Sequence, residues 1–256
     1  MNFEFSSDQM LLRDQARKFL ENEESVKKAR EVLEGDQTHD ESLWRSVVEM
    51  GWTATTIPEE FDGLGLGYLE LCVIAEELGR SLAPTPFSSS VYLATEALIN
   101  QGSKEQHQKY LPKLATGEIV GTLAHTETTN SPSPENLNCE LSNNKLNGIK
   151  IAVTDGDVAN FAVVSAKEGD KVVLGLVDLA SKGVEITSQN TLDPSRSHAS
   201  IKFKDADAEI LGSSQDGWVA LQEILDHAAV LFAFEQLGGA EACMDMAKEY
   251  AMGRFA

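Results

Sequence analysis

A chain of 256 residues is long enough for two domains, and its composition, 42% hydrophobic and 24% charged, is that of a core-forming globular protein. A formal net charge of −20 excludes a nucleic-acid surface, which needs clustered Lys and Arg. Cys72, Cys139 and Cys243 lie far apart with no C-x-x-C pair, so neither a disulfide framework nor a zinc site is expected, and a reducing, cytoplasmic setting is.

Residues 1–8 lack the basic start and apolar core of a signal peptide. Ser6 and Ser7 then offer caps for a helix whose face carries Leu12, Ala16, Phe19 and Leu20. A second helix covers about 26–33 and stops at Gly35; Asp40 opens a third, with Leu43, Val47 and Met50 on one side. The loop 57–67 is dense in Gly and Pro. A fourth helix, 68–82, carries Leu71, Ala75, Leu78 and Leu82, and a fifth uses Val91, Ala94 and Leu98. Ser103 and Gln106 form a capping box for a sixth, which Pro112 should limit or kink.

From Ile119 the period changes to two. Strands are expected at 119–127, 137–142, 145–153, 161–166, 172–179, 184–189 and 198–203, with hairpin turns at Asn143-Asn144 and around Gly169. Strands this close together, with no helices between, imply an antiparallel sandwich or barrel. After Gly217 helical spacing returns through Leu221, Leu225, Ala228, Phe232, Gly239, Cys243, Met246 and Tyr250, a stripe too long for a lone helix to bury. Its longest uninterrupted apolar run, 228–234, falls far short of the ~20 residues a bilayer span needs, so no membrane insertion is expected. The fold class is α+β, with an all-α domain over 1–118, a β domain over 119–213 and the first helix of an incomplete bundle over 214–256.

Several tempting motifs have plainer readings. Gly63, Gly65 and Gly67 follow helices rather than a strand, so they make an interhelical loop rather than a dinucleotide fingerprint. Asp155 and Asp157 begin like a calcium loop but lack its later ligands, so a solvated turn is the favoured reading and no metal site is expected. Glu235 lies near the apolar stripe, where a lone carboxylate is costly; a salt bridge is the favoured reading over a catalytic base. His227, on the same helix, reads as a packing or surface residue. Two phrases stand out instead, residues 123–127 and 146–156, each presenting a threonine on a strand where it can meet a flat polar ligand.

Read in order, Pro58-Glu-Glu-Phe-Asp-Gly-Leu-Gly65, Ala75-Glu-Glu-Leu-Gly-Arg80, Gly102-Ser-Lys-Glu-Gln106 with Tyr110-Leu-Pro112, Thr126-Glu127 and Leu146-Asn-Gly148-x-Lys150 resemble the acyl-CoA dehydrogenase family. The resemblance implies FAD, with Leu123, His125 and Thr126 along the flavin's pyrimidine side, Ala152 where the family packs an aromatic residue, and Thr154 near N5. It implies that Arg254 reaches the FAD pyrophosphate of a neighbouring subunit, a role that suits a planar guanidinium. Ser197 and Asp226 fall where the acyl-CoA thioester arm approaches. An acyl-CoA substrate, an electron-transfer acceptor protein, a homo- or hetero-oligomer, and a role in fatty-acid or steroid side-chain degradation follow from the same resemblance.

The departures also carry information. Ala228 and Ala229 occupy the helix positions where members carry a glutamate base and an arginine, and the rest of the family's helical bundle would begin after Ala256. No catalytic base is assignable. Two further readings therefore stay open: a half-site subunit whose partner supplies the base, and a helical–β interaction module without cofactor.

Overall fold

The computed structural model describes residues 4–213 and 216–254. The helical part opens with α1 (Ser7–Asn22), closed by a reciprocal capping box between Ser6 and Gln9. Next come α2 (Ser25–Glu34) and α3 (Glu41–Glu49), the latter capped by the Asp40 carboxylate on the Leu43 N–H at 2.7 Å. Helix α4 (Tyr68–Arg80) is buried nearly all round, and α6 (Lys104–Ala115) starts from the expected Ser103 box. Pro112 does not end α6: only three residues follow it, so a single missing N–H bond is tolerated.

The fifth helix differs from the expectation. Residues Ser88–Thr95 form a π-helix, and only Glu96–Gln101 (α5) is α-helical. All eight π-helical residues are buried. The widened turn lets Ser88 and Ser89 both bond across to the β domain.

Seven strands follow: β1 (Gly121–Ala124), β2 (Glu140–Ser142), β3 (Lys145–Thr154), β4 (Phe161–Glu168), β5 (Lys171–Asp178), β6 (Val184–Gln189) and β7 (His198–Ile210). β4, β2, β3, β7 and β5 pair in a ring that closes through β4–β5, and β6 lies outside on β7. This is the barrel the strand spacing implied. It is not antiparallel throughout, because β1 pairs in parallel with β4 and β2 touches β4 in parallel at Lys167. The β2–β3 hairpin sits between β1 and β4 in sequence, and that detour brings the chain back in the same direction. Asn143 and Asn144 turn the hairpin with positive φ of 51° and 59°, as an Asn pair can.

Alternation divides β4 and β5 between two cores. Ala162, Val164, Ala166, Val173 and Val177 fill the barrel, whereas Phe161, Val163, Leu174 and Leu176 face the helices.

Helix α7 (Gly217–Gly253) crosses α4 at very close range. A Cβ on Gly79 would lie 2.1 Å from the Glu235 carbonyl oxygen, and one on Gly238 1.9 Å from that of Glu76, so both positions require glycine. The stripe Leu221, Ile224, Ala228 and Leu231 is buried, each large aliphatic side chain contributing ~1.5–3 kcal/mol. Beyond Gly238 Arg80 still ties the helix through Asp245 at 2.7 Å, but its apolar side chains are open, with Met244, Met246, Tyr250 and Met252 all more than 60% exposed. By length and composition α7 could cross a membrane, and it is the one such helix among the described residues; here a third of its most apolar window is buried against the rest of the chain.

Candidate active site at the barrel rim

Three backbone segments converge at one rim: residues 125–127 beyond β1, the end of β3 and the start of β7. The Ile151 N–H donates to the Thr126 carbonyl at 2.9 Å, and the Thr122 hydroxyl donates to the Thr154 carbonyl at 2.6 Å, so the β1 extension is stitched to β3. Between Lys150 and Val153 the register slips, which puts Ala152 at φ 50° with its side chain exposed. Its N–H is held by Gln189 Oε1 at 3.0 Å. Bulges of this kind re-aim side chains beside functional sites.

Thr126 and Thr154 are half-buried rather than enclosed in the core. Thr154 Oγ1 lies 3.4 Å from His198 Nε2, and His198 Nδ1 lies 3.1 Å from the Arg196 carbonyl. A carbonyl only accepts, so Nδ1 carries the proton. In the neutral ring Nε2 then accepts from the Thr154 hydroxyl, whose lone pairs stay free for a donor. His125 lies on the same edge with Nδ1 enclosed and unpartnered. Burial, then the nearby Lys150, hold its pKa below the ordinary histidine value, so the ring is neutral at pH 7. An unpaired buried nitrogen costs ~1–3 kcal/mol. A planar heterocycle with its own donors and acceptors would relieve that cost, and the residues at this edge fit such a group. Ala152 supplies no ring to stack on it.

Behind the rim, Lys150 is fully buried and donates to Glu127 Oε1 at 2.8 Å and Ser165 Oγ at 3.0 Å. Burial alone would raise the Glu127 pKa, but Lys150 and the N–H groups of Cys139 and Asn138 outweigh it and hold the carboxylate ionised. At the seam with the helices, Asp155 accepts from Ser89 at 2.6 Å, and burial raises its pKa to about 6. One step away, Arg196 donates to Ser88 Oγ at 3.0 Å and to Glu235 Oε2 at 2.5 Å. The salt-bridge reading of Glu235 holds. His227 pairs with Glu96 at 2.6 Å and packs edge-on to Tyr68.

The rim therefore brings together His125, Thr126, Ala152 and Thr154, with Ser197 alongside. The Ser197 hydroxyl donates to Asp157 at 2.6 Å. The Leu123 side chain is sunk in the core, which leaves only its backbone for a ligand. Among the described residues no hydrogen bond or ion pair joins Asp226 or Arg254 to this edge; Asp226 is exposed on α7, and Arg254 reaches back to the Tyr250 hydroxyl at 3.1 Å.

Sequence reasoning gave Lys150 and Arg196 no role in the site, and the solvated turn expected at Asp155 is instead a buried carboxylate. The alternation of Leu146, Gly148 and Lys150 along β3 put Lys150 on the inward face and could have flagged it. Nothing local marks Arg196, whose partner lies 39 residues away.

Comparison with known proteins bears on the family and the fold. Residues 6–118 match the family model described as acyl-CoA dehydrogenase, N-terminal domain. Isovaleryl-CoA dehydrogenase of Solanum tuberosum is 30% identical over 233 residues, which cover 84% of this chain and 56% of the relative. The chain belongs to the acyl-CoA dehydrogenase family. Its fold superposes on the glutaryl-CoA dehydrogenase–glutaryl-CoA complex with a TM-score of 0.92 at 23% identity, covering all of this chain and 71% of that one. It also superposes on the ChsE4–ChsE5 complex of Mycobacterium tuberculosis with a TM-score of 0.86 at 24% identity, covering all of this chain and 70% of that one. This family member spans a little over half the length of the curated relative, 56%.

Proposed function

We propose that this chain forms the β-domain half of an FAD site in an enzyme that carries out α,β-dehydrogenation of an acyl-CoA thioester. The observation that carries the reading is the rim itself: two half-buried threonines and an enclosed, unpartnered His125 Nδ1 along one stitched edge. FAD, when bound, supplies the hydride acceptor. The chain's own part is alignment. Thr126, His125 and the Leu123 backbone would hold the ring's polar edge, Thr154 would be kept in orientation by His198, and the barrel wall behind them would exclude water. Arg254, at the end of α7, would serve a phosphate of a neighbouring copy, and Ser197 and Asp226 the thioester arm.

A second reading has its own support. Ala228 is buried within α7 and Ala229 is exposed, so α7 offers neither carboxylate nor guanidinium where the resemblance expects them, and Ala152 offers no stacking ring. Those three alanines favour a half-site subunit that works with a partner carrying the base, and the open apolar side chains at the end of α7 give such a partner a surface.

One experiment separates the two. Isolated alone, the chain is expected to hold flavin, seen as visible absorption, and to oxidise an acyl-CoA panel with an artificial electron acceptor. Flavin and turnover gained only on co-expression with a homologous subunit would select the half-site reading. A colourless protein under both conditions would reject the flavin site.

A further inference from the structure

A cavity of about 400 Å³ opens where the end of α4, the segment before β7 and α7 meet. One side is apolar, formed by Leu78, Leu82, Ala83 and Phe232. The other carries Arg196 and Glu235, with Asp193 at its edge. It adjoins the rim, because the Arg196 carbonyl holds His198, and His198 holds the Thr154 hydroxyl.

The pair is built for more than fastening two elements. Glu235 is only 9% exposed, yet its partner Arg196 keeps 32% of its side chain open. Each terminal nitrogen of Arg196 makes one hydrogen bond, to Ser88 or to Glu235, so donor capacity remains. Two carboxylates, Asp193 and Glu235, stand against one guanidinium, and a third negative charge would be repelled. A purely hydrocarbon guest would cover Arg196 without replacing the water that completes its hydrogen bonds.

We infer that this cavity receives the distal part of the acyl group, and that Arg196 and Glu235 select a group bearing a neutral hydrogen-bonding substituent, a hydroxyl or ketone, over a plain hydrocarbon and over a second carboxylate. The inference rests on the acyl-CoA reading above and adds the substrate class to it. A site that hydrogen-bonds a substituent rejects the analogue lacking it more strongly than an apolar pocket rejects a missing methylene.

The test is calorimetric titration of the purified protein, in the assembly in which it is isolated, with butanoyl, hexanoyl and octanoyl thioesters of CoA. Each is used in hydrocarbon, ω-hydroxy and ω-carboxy form. At one length or more the ω-hydroxy form should bind roughly tenfold tighter than its hydrocarbon match, and the ω-carboxy form weaker than either. In Glu235→Gln the hydroxyl preference should shrink to about threefold or less, a change that a merely structural ion pair would not produce. Leu82→Trp, at an exposed position on the apolar side, should weaken octanoyl forms by roughly tenfold while free CoA binds as before.

Hydrocarbon forms that bind as tightly as hydroxy forms at every length would overturn the selectivity. Octanoyl affinity unchanged in Leu82→Trp would overturn the location. Failure of every thioester to bind, hydrocarbons included, would overturn the acyl-CoA reading and this inference with it.

Discussion

Two enclosed carboxylates beside the rim, Glu127 and Asp155, are treated differently. Inside the barrel, Glu127 meets a fully buried lysine, two backbone N–H groups and, through Lys150, a serine, and it stays ionised. At the seam between helices and barrel, Asp155 is 2% exposed and is met by hydroxyls, with Ser89 at 2.6 Å and Ser197 at 3.4 Å; its pKa rises to about 6. Arg196 acts on it only from further off, its own hydrogen bonds going to Ser88 and Glu235. The difference is one of compensation rather than burial. A carboxylate with a cation at contact distance serves as a fixed strut, and one with only hydroxyls becomes a group that titrates where cells live.

Removing the strut should do the most damage. Lys150→Met leaves Glu127 inside the barrel wall without its cation and should cost about 3–5 kcal/mol in urea unfolding, as broken buried pairs do. If Lys150→Met costs less than about 1 kcal/mol, the pair is not the fixed element described.

The seam should instead respond to pH. The folded Asp155 pKa lies above its unfolded value, so between roughly pH 4 and pH 6 the native state binds more protons than the unfolded one. Its contribution to stability is therefore full below that window, declines as pH rises through it, and is absent above. The total change is about 2–3 kcal/mol. Asp155→Asn should remove this slope, seen as the difference between wild type and variant in denaturation series at either end of the window. Identical slopes would assign the pH response elsewhere.

The smallest effect should come from Ser89→Ala, about 1 kcal/mol at neutral pH, where it deprives the ionised Asp155 of its shortest hydrogen bond. Because Ser89 holds the Asp155 pKa down, the same change should steepen the pH slope; a shallower slope would contradict the assignment.

How much of this could be read from the chain depended on the range of the interaction. Helix caps at Ser6, Asp40 and Ser103 and the Asn143-Asn144 turn are local signals, and each appears where the spacing put it. The long helix also forms, but its buried stripe runs through Leu221, Ile224, Ala228 and Leu231, while Cys243, Met246 and Tyr250 of the expected stripe are exposed. The two threonine phrases also come together, joined by the Ile151 N–H to the Thr126 carbonyl and the Thr122 hydroxyl to the Thr154 carbonyl. The π-helical turn was not legible. It has the same residue types as an α-helix, and its widening depends on partners in the β domain. The parallel β1–β4 pairing and the Arg196–Glu235 contact are likewise products of chain return, and no nearby residue announces them. Glu235 could be marked as needing a partner on desolvation grounds alone, though not which one.

The central claim is that the edge formed by His125, Thr126 and Thr154 holds the polar side of a flavin ring. Its most direct test is a fluorescence titration with FAD of the isolated assembly and of the Thr126→Val, Thr154→Val double variant, with unchanged circular dichroism confirming that both are folded. Loss of two hydroxyl contacts should weaken FAD by roughly tenfold or more. FAD affinity identical in both proteins, or no FAD binding by the wild type, would contradict it.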